Sequence, residues 1–131
     1  MIQLTVIRGA PGSGKSTLAR AIELDLSAGE TPVAIVEMDD WRINGKVYTY
    51  DQTQNTRIAD ECFQKVRSLL EGGVSVIVAN TFIRRLHVSQ YRRLAKSLRV
   101  PYQEYICRGE FRSLHGVEPG HASVMHRQME L

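Results

Sequence analysis

Residues Gly9-Ala10-Pro11-Gly12-Ser13-Gly14-Lys15-Ser16 fill every required position of a G-x-x-x-x-G-K-[ST] loop. That spacing is built to hold phosphate. The glycines let backbone N–H groups turn inward around a polyphosphate, where larger side chains would block the approach. Lys15 supplies a mobile positive charge for the outer phosphates, and the Ser16 hydroxyl is placed to meet Mg²⁺. Gly9, Pro11, Gly12, Ser13, Gly14, Lys15, Ser16 and Thr17 are therefore the expected nucleotide-binding residues, with Ser16 the metal-binding one.

A second chemical stretch is Asp39-Asp40-Trp41-Arg42. Of two adjacent aspartates, one can orient a hydroxyl and accept its proton, while the other caps the next element or holds a metal-bound water. Arg42 has the fork geometry that grips a phosphate. Trp41 reads as a packing residue, whereas Tyr48 and Tyr50 suit either stacking or packing. Further on, Arg108 to Val117 is polar, glycine-bounded and rich in cations. A segment of that kind, at about 108–118, can close over a nucleotide and bring an arginine to its phosphates; Arg112 is the candidate, with Arg108 and His115 behind it.

These residues need a frame. Ile2 to Ile7 is a β-branched apolar run that reads as a buried parallel strand, and Leu18, Ile22 and Leu26 mark one face of a following helix. Strand, glycine loop and helix N-terminus form the arrangement an anion requires. Val33 to Met38 reads as a second strand, Thr53 to Glu71 as a helix closed by Gly72-Gly73, Val74 to Ala79 as a third strand, and Tyr102 to Cys107 as a fourth. Val88, Tyr91, Leu94 and Leu98 give the basic stretch after the third strand a helical stripe; a last helix is expected from about Pro119 to Glu130. The fold class is α/β, a small parallel sheet of about four strands flanked by helices, in one domain over residues 1–131. In such sheets ligands bind outside the carboxyl ends of the strands, which puts Asp39 and Arg42 beside the glycine loop.

Composition narrows the function classes. The formal net charge is +3, compatible with nucleic acid without requiring it. Cys62 and Cys107 lack metal-site or disulfide-framework spacing, the start of the chain reads as strand rather than secretion signal, and no apolar run is long enough to span a bilayer. A cytoplasmic setting and no membrane partner are the expectations. At the third strand end, Ala79-Asn80-Thr81 carries no carboxylate, which argues against a hydrolytic motor ATPase. Asp39 and Asp40 are then the carboxylates expected to do the chemistry, with Asn80 a polar contact to the metal shell or acceptor.

The chain resembles the small P-loop kinases related to polynucleotide 5′-kinases of the bacteriophage type, an AAA-type small ATP-binding group. The resemblance rests on Gly9 to Thr17, Asp39-Asp40-Trp41-Arg42, Asn80-Thr81 and His115-Gly116-Val117. It implies the P-loop NTPase fold, ATP and Mg²⁺ as cofactors, and transfer of a γ-phosphate to the 5′-hydroxyl of a DNA or RNA end. It implies Asp39 as general base and Arg42 as the acceptor's phosphate contact, in a catalytic set of Lys15, Asp39, Arg42 and Arg112. A nucleoside or other small-molecule kinase shares the same ATP machinery, and an ATP-binding switch or partner domain with little catalysis is a further alternative. Replacing Lys15 with Ala should slow phosphate transfer on the order of 10²–10³-fold, as loss of one transition-state charge contact does, and single-turnover assays with labelled ATP measure it.

Overall fold

A computed structural model describes residues 1–44, 47–48, 52–82 and 85–109. Strand β1 spans Leu4–Arg8, α1 Lys15–Leu26 and β2 Val33–Val36. A 3₁₀ turn over Met38–Arg42 leads to the short strands β3 (Ile43–Asn44) and β4 (Val47–Tyr48). A second 3₁₀ turn, Gln52–Gln54, precedes α2 (Asn55–Glu71); then come β5 (Ser75–Asn80), α3 (Arg85–Leu98) and β6 (Tyr102–Ile106).

The main sheet has the order β2-β5-β1-β6 and every pairing is parallel, with Leu4 opposite both Val76 and Tyr102, and Val33 opposite Ser75. The four-stranded parallel α/β expectation is met. Element ends shift by no more than two residues, because strand limits follow the ladder rather than the apolar run. Among the described residues, the β3–β4 pair, Ile43 opposite Tyr48, is unanticipated, in a stretch whose Asn44-Gly45 signal reads only as a turn.

Central strands β1 and β5 are buried along their whole length, as strands covered on both faces must be. Alternation then divides their side chains between two layers. Leu4, Val6, Val76 and Val78 face α2 and α3, where Cys62, Val66, Val88 and Tyr91 complete the larger core. Ile7, Ile77 and Ala79 face α1, where Ala19 is buried and Leu18 and Ile22 are partly so. Trp41 packs against the larger core, as its packing reading expects.

Arg8 breaks the apolar pattern: it ends β1 on the α3 side with no exposed surface at all. Its Nε donates to the Phe82 carbonyl at 3.0 Å, and its Nη1 lies 3.6 Å from Glu104 of β6. Phe82 has φ +46, a left-handed conformation that costs a non-glycine residue about 1–3 kcal/mol. The Arg8 bond on its carbonyl and the edge-on packing of its ring against Tyr91, 5.5 Å between centroids, hold it there. Glu104 is gripped in turn by a two-pronged Arg92 contact at 2.8–3.0 Å and by the Tyr102 hydroxyl at 2.7 Å. Burial works against the ionised carboxylate, but the Arg92 and Tyr102 hydrogen bonds and the Arg92 and Arg8 charges outweigh it and hold Glu104 below the usual carboxylate range.

This sets a pH dependence. A carboxyl whose folded pKa is depressed adds stability that is fully present above its ordinary value of about 4.3 and is lost as pH falls through the folded value. Chemical denaturation across pH 3–7 (about the range over which a carboxylate titrates) should show wild type weakening toward acid, with Glu104→Gln less stable at neutral pH and flatter in its acid dependence.

Candidate active site

The loop between β1 and α1 is tight at its first residue. A Cβ on Gly9 would stand 2.3 Å from Ser13 Oγ and 2.8 Å from the Cys107 carbonyl, so no other residue fits without moving backbone. Gly14, at φ +99, turns the chain into α1. No side chain caps that helix and its first turn has no acid. Its leading N–H groups therefore present their partial positive charge toward the loop, where an anion is favoured. Ser13 Oγ is buried without a hydrogen-bond partner inside the same curl. A phosphate fits an orphaned hydroxyl and unsatisfied amides of this kind.

Lys15 Nζ donates to the Ala10 carbonyl at 3.0 Å, folded back along the loop. Burial lowers its pKa, against the pull of Asp39 and Glu37. The Ser16 hydroxyl donates to Glu37 Oε1 at 3.2 Å. Glu37 lies just past β2, at a strand end where the sequence expectation names only Asp39 and Asp40 as the acids of the site. The correction follows from β2 ending at Val36 instead of Met38, which brings Glu37 out of the strand and over α1. Burial pushes its carboxyl up, with Ser16 and Lys15 opposing and Asp40 and Asp39 adding.

The two aspartates divide their roles. Asp40 caps: its Oδ2 accepts the Glu37 N–H at 3.1 Å, one half of a reciprocal capping box that closes the 3₁₀ turn. Asp39 is partly exposed, its side chain 41% accessible and 3.8 Å from Arg42 Nε, while Asp40 is the more exposed of the two. Arg42 is turned inward, its side chain only 5% exposed, with Nη2 donating to Asn55 Oδ1 at the start of α2. In this state its guanidinium braces Asp39.

Asn80 differs from the polar metal or acceptor contact expected of it. Its Oδ1 accepts the Met38 N–H at 2.7 Å, its Nδ2 donates to Cys62 Sγ at 3.7 Å, and the residue is buried. Tyr91 Oη donates to the same sulfur, and burial pushes the Cys62 thiol up. Both polar ends of Asn80 are thus spent on joining β5 to the turn that carries Asp39. Thr81 adds a second joint, its carbonyl accepting the Gly9 N–H at 3.3 Å. Gly9, Pro11, Gly12, Ser13, Gly14, Lys15, Ser16, Thr17, Asp39 and Arg42 all gather at the carboxyl edge of the sheet. Arg112, His115, the lid-like stretch beyond Gly109, the expected last helix and Tyr50 lie outside the described residues. Two site-building residues escaped the sequence reading. Glu37 is signalled only by its place two residues before Asp39, and Arg8 by a charge at the end of an apolar strand.

Glycine loop, helix and parallel strand order together make this a P-loop kinase-like ATP-binding domain. More narrowly, the chain belongs to the AAA domain family (AAA_33), whose model matches residues 4–128. No curated protein matches it. Among solved structures, the crystal structure of APE1195 is similar at 21% identity and a TM-score of 0.66, covering 83% of this chain and 62% of that one. The APS kinase CysC of Mycobacterium tuberculosis, in complex with AMPPNP and APS, is 19% identical with a TM-score of 0.62, over 81% of this chain and 62% of the other. A chain of the Pnkp1/Rnl/Hen1 RNA repair complex is 20% identical with a TM-score of 0.70, over 98% of this chain and 44% of the other. The chain thus spans less than two thirds of the length of these three. At such identities the likeness is one of fold. Among the described residues, no helix is long and apolar enough to cross a membrane.

If Asn80 joins elements instead of binding ligand, Asn80→Ala should lower unfolding free energy by about 1–3 kcal/mol, the cost of orphaning a buried donor. Its affinity for nucleotide, titrated without divalent cation, should stay within about twofold of wild type, since a factor of two is under 0.5 kcal/mol.

Proposed function

We propose that this domain transfers the γ-phosphate of ATP to a hydroxyl, with the 5′-hydroxyl of a DNA or RNA end as acceptor. One observation carries the reading: a partly exposed carboxylate, Asp39, stands at the strand edge that carries the phosphate loop, close enough for its charge to act on Lys15. Asp39 accepts the acceptor's hydroxyl proton, the freed oxygen forms a bond to the γ-phosphorus, and the β–γ bridging oxygen leaves with ADP. The uncapped start of α1, Ser13 Oγ and Lys15 hold the phosphates. Arg42 keeps Asp39 oriented and, on turning out from Asn55, is proposed to meet an acceptor phosphate; Arg112 is proposed to close on the nucleotide from the lid segment.

The residues present fit Mg²⁺. Ser16 Oγ and the Glu37 carboxylate form an oxygen pair beside the loop, with Asp40 next to it, and Mg²⁺ prefers oxygen ligands and takes the remainder from phosphate and water. Among the described residues no group of three or more His, Cys, Asp or Glu side chains is arranged to hold a metal. When bound, Mg²⁺ neutralises charge building on the transferring group.

The fold shared with a chain of an RNA repair complex supports the polynucleotide acceptor. A second reading, a small-molecule kinase, draws on a groove of about 860 Å³ between α1 and β2 that opens beside Ser16 and Glu37. Its rim carries Glu23, Glu30, Glu37 and Asp40 against Arg20, a setting for a neutral or cationic hydroxyl compound. Labelled ATP offered with 5′-hydroxyl DNA, RNA and nucleosides decides between them: an oligonucleotide should far outpace a free nucleoside, and equal rates would overturn the polynucleotide acceptor. In the same assay Asp39→Asn should keep ATP affinity and lose about 10²–10⁴ in turnover. Asp40→Asn should lose less, because its carboxylate caps the turn.

A further inference from the structure

The charge of this chain is sorted by flank. Between residues 21 and 40 there are six acids and no lysine or arginine. Between residues 84 and 99 there are six lysines and arginines and no acid. The fold sends these runs to opposite faces of the sheet. The acidic run forms the end of α1, β2 and the groove between them. Four of the six cations, Arg85, Arg92, Arg93 and Lys96, belong to α3, on the face of the sheet that α3 shares with α2.

Among the α3 cations, Arg92 is committed to Glu104. Arg93 and Lys96 are exposed, as is Arg99 just past the end of the helix, and among the described residues no acid pairs with them. Arg93 and Lys96, three residues apart, share one side of the helix. Arg93 also forms one wall of an open groove of about 390 Å³ between α2 and α3, floored by Phe63, Leu94 and Leu98 with Gln90 and Ser97 alongside. Cations beside an aromatic and aliphatic floor are what a single nucleic-acid strand uses: charge for its phosphates, apolar surface for its bases. The helix begins at the same sheet edge as Asp39 and descends from it. At 1.5 Å per residue, Lys96 is about 16 Å from the start of α3, a few nucleotides from the reacting end.

We propose that the α2–α3 groove and the Arg93–Lys96 face of α3 bind the single strand that trails from the phosphorylated 5′ end, an inference that rests on the polynucleotide reading above. The other flank excludes itself, since a polyanion leaving toward α1 and β2 meets Glu23, Glu30, Glu37 and Asp40. The surface selects strand over nucleoside by length and charge, not by base sequence.

The test uses the full chain and a single-stranded 5′-hydroxyl DNA of about twelve nucleotides, within the usual single-strand site size, labelled at its 3′ end. Binding is read by anisotropy across a salt series, and phosphorylation by label transfer. Arg93→Glu/Lys96→Glu should bind the strand at least about tenfold more weakly at low salt, with a log K against log salt slope shallower by about 1.4, roughly 0.7 for each phosphate contact removed. Arg93→Lys/Lys96→Arg should restore both, and ATP affinity should not change in either variant. Unchanged affinity and slope in the glutamate variant would overturn the surface. Poly-glutamate displacing the strand at equal charge would overturn the nucleic-acid assignment in favour of an acidic protein. A strand held by α3 that is never phosphorylated would remove the kinase reading and leave the surface standing. A strand phosphorylated with unaltered KM by the glutamate variant would do the reverse.

Discussion

The site depends on one hydrogen bond between a side chain and a backbone amide: Asn80 Oδ1 to the Met38 N–H, at 2.7 Å. Strand β2 is the edge of the sheet and only four residues long, with half-buried side chains over most of its length. It has little packing of its own to fix where its end points. Asn80, at the end of a fully buried central strand, supplies the missing constraint. Through it, together with Trp41 and Met38 packed on the larger core, the turn bearing Glu37, Asp39 and Asp40 takes its position from the core. The Gly9 amide on Thr81 and the Arg8 guanidinium on Phe82 tie the phosphate loop's strand to the same three-residue stretch. Loop and carboxylates are thus referenced to a single point, the end of β5. An amide does this better than the acid familiar in motor ATPases: it can accept from Met38 and donate to Cys62 at once, and it places no charge in a buried position.

That economy explains what the sequence made legible. The glycine loop is readable because its function forbids side chains at fixed spacing, and the crowding at Gly9 is the same prohibition seen in space. The parallel sheet is readable because β1 and β5 are buried on both faces and so carry unbroken apolar runs. Tertiary choices were not readable. Asn80 and a metal-contacting asparagine look alike in a sequence; only the direction of the side chain separates them. Glu37 and Met38 both continue an apolar-to-acidic transition, and where the ladder stops decides which acid reaches Ser16. Arg42 has the type of a phosphate ligand, yet Asn55, thirteen residues on, turns its guanidinium inward. Arg8 is the extreme case: a charge at an apolar strand's end reads as an exit to solvent, and its carboxylate partner is 96 residues away.

Burying Arg8 has a physical logic. A guanidinium removed from water is costly unless its charge and its donors are met. Here the charge is met by Glu104, which Arg92 and Tyr102 hold in place from a helix and a strand. The contact therefore joins β1, β6, α3 and the strained Phe82 in one cluster. Removing a single member leaves the others buried and mismatched, so the cluster acts as a unit.

Helix α1 starts on Gly14 with no capping side chain and no acid in its first turn. In an isolated protein this is a defect of about 1 kcal/mol, the usual value of a missing cap. Seen from the ligand's side, the phosphate is the cap. The domain then carries part of its cohesion in solution as free nucleotide rather than in its own covalent chain. A ligand at a hundred times its dissociation constant adds about 2.7 kcal/mol to the folded state, a large share of what holds a small domain together. The melting point of such a protein is a reading of the nucleotide concentration around it.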